Sequence, residues 1–209
     1  RHADGRWLNN SNLTERLPFI TEGAVMHYSF YVPHDIPGLI KTMGGREAFI
    51  QKLDTLFGLC REGPADAAYY WHGNEPWHHI PYLDALAGAP WKTQRIVCDI
   101  LRSEYLDVPG GLSGNDDAGQ MSAWQVFSML GFYPVCPGSA EYVIGVPQFR
   151  LARIGRLTIE TRGKGDYIQR MTWNGQPYTR YTLTHKMVVA GGRLVVELGE
   201  KPLLNLPNS

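Results

Sequence analysis

A chain of 209 residues with 44% hydrophobic content can bury a core in one large domain or two smaller ones. Lysine plus arginine and aspartate plus glutamate balance at 20 each, which leaves no field to draw in nucleic acid or an anionic membrane surface. No apolar run approaches the ~20 residues needed to span a bilayer.

The start, "RHADGRWLNN", has neither an initiating Met nor an apolar signal-peptide core, and a piece of a longer chain is the expectation. Cys60, Cys98 and Cys136 are odd in number and far apart, which argues against a disulfide framework and a CxxC zinc site. Their apolar neighbours predict buried free thiols.

In chain order, "REAFIQKLDTLFG" places Phe49, Ile50, Leu53, Leu56 and Phe57 on one helical face, with Gly58 as a stop. "PWKTQRIVCDILRSEY" opens a second helix at Pro90, with Ile96, Val97, Ile100 and Leu101 as its inward stripe. "QMSAWQVFSMLGFY" is apolar nearly all round and reads as a central helix. After "PVCPG" the pattern turns to short strands: "YVIGV", "FRLARI", "RLTIETR", "YIQRMTW", "YTRYTLT" and "RLVVEL". Asn174-Gly175 signals a type I′ hairpin, and Gly191-Gly192 signals a second one. The fold class is α+β, with a helical part over residues 1–137 and an antiparallel β part over 138–209.

Polar residues concentrate in four stretches of the helical half. These are "TEGAVMHYSFYVPHD" (Glu22, His27, His34, Asp35), "YYWHGNEPWHHIPYL" (His72, Asn74, Glu75, His78, His79), "PWKTQ" (Lys92, Gln94) and "GLSGNDDAGQ" (Asn115, Asp116, Asp117). Pro76 disfavours helix at Glu75, so residues 72–75 read as a loop with a helix beginning near Pro76. Asn and Glu oxygens at such a mouth suit a hard cation such as calcium; no HExxH spacing exists for zinc. The bland alternative is a capping Glu above core histidines. Likewise Asp116 or Asp117 could simply cap the helix that runs from Gln120. Glu22 changes the balance, because two carboxyls across a pocket are the equipment of glycoside hydrolysis. Trp71, Trp77, Trp91, Trp124 and Tyr82 lie close in sequence to these polar groups, a mixture that suits sugar binding.

Taken in order, "EG….HYSFYVPHD", "HGNEPWHHIPYL", "PWKTQ", "GNDDAGQMSAWQVFSMLGFYPVCPG" and "YVIGVPQF" resemble the calcium-dependent, exo-acting α-mannosidases of glycoside hydrolase family 92. The resemblance implies part of an (α/α)6 toroid over residues 1–137, then strands of a β-sandwich. It implies a chain completed by an N-terminal portion that is not present here. It also implies inverting hydrolysis of a mannose-containing glycan, with Glu22 as acid, Asp117 as base and Asp116 beside it. By the same resemblance Asn74, Glu75 and Asp117 would hold Ca2+. His72, Trp71, Trp77, His78, Lys92 and Gln94 would meet the substrate, and export to the periplasm or medium would follow. Val25, Met26 and Tyr28 are expected to shield the acid from water.

Two departures stand out. Ala24 and Met26 follow Glu22-Gly23 where the family usually has an Asn and then a Trp, which removes a stacking face worth ~1 kcal/mol. Gly73 stands where some α-1,2-specific members carry a second acid, so α-1,3 and mannose-phosphate linkages stay open beside α-1,2. A non-catalytic carbohydrate-binding or assembly module of the same fold is the competing reading.

Overall fold

The computed structural model describes residues 3–6, 17–58 and 70–204; Cys60 lies outside them. Its first helices are short: α1 (Val25–Tyr28), α2 (Ile36–Thr42) and α3 (Arg46–Gly58). Asp35 caps α2, its carboxylate accepting from Gly38 N at 2.9 Å. In α3, Phe49, Leu53 and Leu56 are buried, while Ile50 and Phe57 pack at the margin of the same core.

The helix expected from Pro76 is replaced by two 3-10 turns, Glu75–Trp77 and Ile80–Tyr82, followed by the single-turn α4 (Leu83–Leu86). Pro76 and Pro81 each remove a backbone donor, so no long i→i−4 ladder can form across them. α5 (Pro90–Ser103) starts on its proline, but its buried stripe is Thr93, Gln94, Val97, Cys98 and Ile100; Ile96 and Leu101 sit at the edge. α6 (Gln120–Leu130) buries Met121, Trp124 and Ser128. It is not apolar-covered all round, since Val126 is 55% exposed on the opposite face.

Among the described residues eight strands follow. β1 (Phe132–Tyr133), β2 (Glu141–Ile144) and β7 (Thr182–Thr184) make one sheet. β3 (Leu151–Ile154), β4 (Leu157–Gly163), β8 (Gly192–Gly199), β5 (Tyr167–Trp173) and β6 (Gln176–Pro177) make the other, in that order. Phe132, Ile144 and Leu183 from the first sheet share a core with Leu157, Ile159, Ile168, Met171, Leu194 and Val196 from the second. The β5–β6 hairpin turns on Asn174 (φ 50°) and Gly175 (φ 83°), as its sequence predicts.

Two expectations are corrected. The segment ahead of Gly191-Gly192 is not the strand a hairpin needs: residues His185–Ala190 form α7, capped by Thr184 Oγ1 accepting from Met187 N at 3.2 Å. Gly191 therefore ends a helix instead of turning a hairpin. Because α7 carries the chain back, β8 enters parallel to β4 over seven residue pairs, and the sheet is mixed.

The helical core centres on Trp77, Tyr82 and Trp124, and Phe127 of α6 touches both this core and the sandwich core. Cys98 is buried and Cys136 half-buried, both free thiols; burial pushes the Cys98 thiol up to about 12. Among the described residues no helix is long and apolar enough to cross a membrane.

Candidate active site

Three loops carry the acids, and each is held by contacts within the loop and with distant parts of the chain. In the first, Glu22 adopts a left-handed backbone (φ 56°) just ahead of α1, a conformation that costs a non-glycine residue of order 1–3 kcal/mol. The surroundings fix it. Tyr28 Oη donates to Thr21 O at 2.7 Å, and Asn74 Nδ2 donates to Glu22 O at 3.2 Å. Ala24 N donates to His27 Nδ1 at 3.1 Å. Gly23 lies so close to Trp77 that a methyl group there would sit 2.8 Å from the indole ring.

The second and third loops meet backbone to backbone. A methyl group on Gly114 would fall 2.1 Å from Gly73 O, and one on Gly73 would fall 2.5 Å from Ser113 O. Only glycine permits that approach. It brings "HGNEP" against "SGNDD". Asp117 (φ 44°) and Ala118 (φ 55°) are both left-handed. Asp116 Oδ1 accepts from Ser122 N and Ser122 Oγ, both at 2.9 Å, which ties the loop to the first turn of α6. One oxygen of Asp116 is thus engaged by the start of α6.

Here the three carboxylates converge. The Glu75 pKa is raised, first by desolvation and then by the neighbouring carboxylates of Asp117 and Glu22. One oxygen, Glu75 Oε1, is buried without a hydrogen-bond partner. A buried carboxylate oxygen without a partner, beside other acids, is an arrangement that a cation can satisfy. Asn74 spends its amino group on Glu22 O, leaving Oδ1 as its ligating atom. These oxygen donors fit a hard cation, although they fill only part of the 6–8 positions calcium uses. Among the described residues no three His, Cys, Asp or Glu side chains gather into a metal cluster. Glu22 and Asp117 are both exposed, so the apolar cover expected from Val25, Met26 and Tyr28 is not provided by these residues.

Beneath the loops, several residues expected at the substrate are buried and hydrogen-bonded within the chain. Tyr105 gives its one hydroxyl proton to Met121 O at 3.0 Å. Its 2.7 Å contact with His72 Nε2 must then run from the ring N–H, and His72 Nδ1 accepts from Tyr70 Oη at 2.7 Å. Both nitrogens of His72 are taken, and burial with His78 nearby lowers its pKa well below the usual imidazole range. His78 Nε2 donates to His72 O at 2.9 Å, while Nδ1 accepts from Gln120; burial lowers its pKa to about 4. Both rings are neutral core groups. Trp77 is fully buried, stacked on His27 at 4.9 Å and met edge-on by Tyr28.

Lys92 pairs with Asp54 of α3, and Gln94 accepts from Ile168 N at 3.1 Å. Those two side chains join helix to helix and helix to sheet. Trp124 and Tyr82 are also fully buried. Trp71 is half-buried beside Gly73, its indole nitrogen 2.6 Å from where a methyl would project, and of the predicted contacts it alone stands at the loop junction.

Residues 1–200 match the model of the glycosyl hydrolase family 92 catalytic domain. The chain belongs to glycosyl hydrolase family 92. An uncharacterized secreted glycosidase of Arthroderma benhamiae is 31% identical over 201 residues, which is 91% of this chain and 25% of that protein. A family 92 α-mannosidase from Bacteroides thetaiotaomicron, solved with mannoimidazole, is 34% identical with a TM-score of 0.87, covering 97% of this chain and 30% of that one. A family 92 inverting mannosidase from the same organism is 34% identical with a TM-score of 0.82, over 95% and 30%. The family 92 chain thus spans about a quarter of the curated relative and about 30% of these solved mannosidases.

Sequence reasoning missed the supports of this family 92 site. Tyr70, Tyr105 and Gln120 orient the two histidines, and His27 anchors the Glu22 loop. A polar Gln opening an otherwise apolar helix was the one available signal. The tyrosines gave none.

Proposed function

We propose that this chain carries the acid–base pair of an exo-acting, inverting α-mannosidase, working as a segment of an (α/α)6 toroid completed by the rest of a longer enzyme. The reading rests on one observation: Glu75 lies within electrostatic reach of both Glu22 and Asp117, acids from two other loops, and those two sit on left-handed backbone. Glu22 donates its proton to the glycosidic oxygen as the bond to the leaving sugar breaks. Asp117 takes a proton from the water that attacks the opposite face of the mannose ring. Asn74, Glu75 and Asp117 are the residues that would hold Ca2+, and a bound calcium would supply positive charge to grip the sugar hydroxyls. The substrate is a glycan with terminal α-linked mannose, α-1,2 being the first linkage to try. A secreted or periplasmic location accords with the relative named as secreted.

The exposure of Glu22 and Asp117, together with the chain's partial span of its relatives, favours a second reading, a non-catalytic carbohydrate-binding or assembly segment. Hydrolysis of α-mannobiosides separates the two, run with and without EDTA beside Glu22→Gln and Asp117→Asn. Calcium-dependent mannose release, lost in both variants, is the expected result for the enzyme. No release with calcium restored, alongside retained mannoside binding, would decide for the module.

A further inference from the structure

A groove of about 1230 Å3 lies at one end of the five-stranded sheet, and none of the three site carboxylates lines it. Its charged lining is Arg102, Arg150, Arg162, Lys164 and Arg193 against Glu160 and Asp166, a surplus of three positive charges. The whole chain has a formal net charge of zero, so the surplus is a local concentration.

The two acids are already engaged. Glu160 accepts from Arg162 at 2.8 Å and from Arg193, while Asp166 takes the Arg102 guanidinium through both oxygens. Arg150 and Lys164 are exposed and have no acidic partner among the described residues. Thr161 N donates to Arg150 O at 3.0 Å, which fastens that wall to β4. Thr161 Oγ1, on the same lining, is buried without a hydrogen-bond partner. Phe149, 43% exposed, and Leu151, 50% exposed, add apolar surface alongside.

We propose that this groove binds an anionic glycan, one bearing phosphate or sulfate esters, at a site separate from the carboxylate cluster. Cations on rigid strands meet ester oxygens through charge-assisted hydrogen bonds, with guanidinium able to bind in a fork. An exposed aromatic ring stacks on the C–H face of a sugar. That the ligand is a glycan rests on the chain's place in a glycoside hydrolase family.

Fluorescence anisotropy tests this with the full chain and labelled mannotetraose carrying a phosphate ester, a sulfate ester or neither. Either esterified probe should bind at least about tenfold tighter than the neutral one, and the stronger of the two identifies the ester. The exposed double variant Arg150→Gln/Lys164→Gln should weaken that binding about tenfold, while Lys186→Gln on α7 leaves it unchanged. Raising salt from about 50 to about 500 mM should weaken it too. Equal binding of the neutral probe, no binding of either ester, or indifference to the double variant with an unaltered circular dichroism spectrum would overturn the proposal. So would equally tight capture of a short DNA duplex, which would reduce the groove to a general polyanion surface.

Discussion

The helical half and the sandwich half solve the burial of polar groups in opposite ways. In the sandwich, backbone ladders satisfy the strands, and charges pair across the outer face, as Arg170 does with Glu197. In the helical half, side chains carry that load. Tyr70, His72, Tyr105, His78 and Gln120 form a buried network, and Trp124 Nε1 donates to His78 O at 2.8 Å. Above this network sit the loops with strained backbone and an unsatisfied Glu75 oxygen. A rigid, fully bonded floor lets a few loop residues be held in unfavourable states, which is what a catalytic constellation requires.

Removing the floor should produce the largest effect. Trp124→Ala deletes a fully buried indole and leaves His78 O without its donor, so a loss of ~3–5 kcal/mol is expected in urea unfolding. Hydrogen exchange sharpens the comparison. Amides of α5 and α6 should lose protection before those of β4 and β8.

Asp84 breaks the pattern from inside, since it is fully buried in the helical half with neither oxygen hydrogen-bonded. Burial raises its pKa from 3.8 to about 7, with Lys92 opposing and Asp54 adding to the shift. The native state therefore holds a proton that the unfolded chain has released. The contribution is fully present below pH 3.8 and is lost as pH rises to about 7. The gap corresponds to as much as ~4 kcal/mol. Asp84→Asn should flatten that stretch of the stability–pH curve. An unchanged slope would mean that the carboxyl finds a partner, such as water.

Gly114→Ala tests the loops directly. Its methyl group would meet Gly73 O at 2.1 Å, so ~1–3 kcal/mol of destabilisation is expected from overpacking. Chemical shifts should move at Glu75 and Asp117 while the sandwich amides stay in place.

How much of this was legible follows the same division. α3, α5 and the Asn174-Gly175 hairpin could be read because periodicity and turn chemistry are local. The acid loops were legible as motifs. The roles of His72 and Gln94 were not, because their partners lie far away in sequence: Tyr105 is 33 residues on and Ile168 is 74. Nothing near either residue says whether it faces a sugar or a core. The parallel β4–β8 pairing was hidden for another reason. It depends on six residues coiling into α7 behind a Thr184 cap, where the following Gly191-Gly192 signalled a hairpin.

The smallest expected effect concerns the seam between the halves. Arg102 on α5 forks onto Asp166 in the β4–β5 turn, with contacts at 2.8 and 2.5 Å, so the geometry is good. The side chains are 57% and 27% exposed, however, and water screens much of the attraction. A double-mutant cycle of Arg102→Ala and Asp166→Ala should give a coupling below ~1 kcal/mol that shrinks further in about 0.5 M salt. That outcome would leave the seam to Phe127 and to the buried Gln94–Ile168 bond, groups that salt does not reach. A coupling above ~2 kcal/mol that persists in salt would reverse the argument: the seam would then be held by charge, as the outer face of the sheet is, and not by buried partners, as the helical floor is.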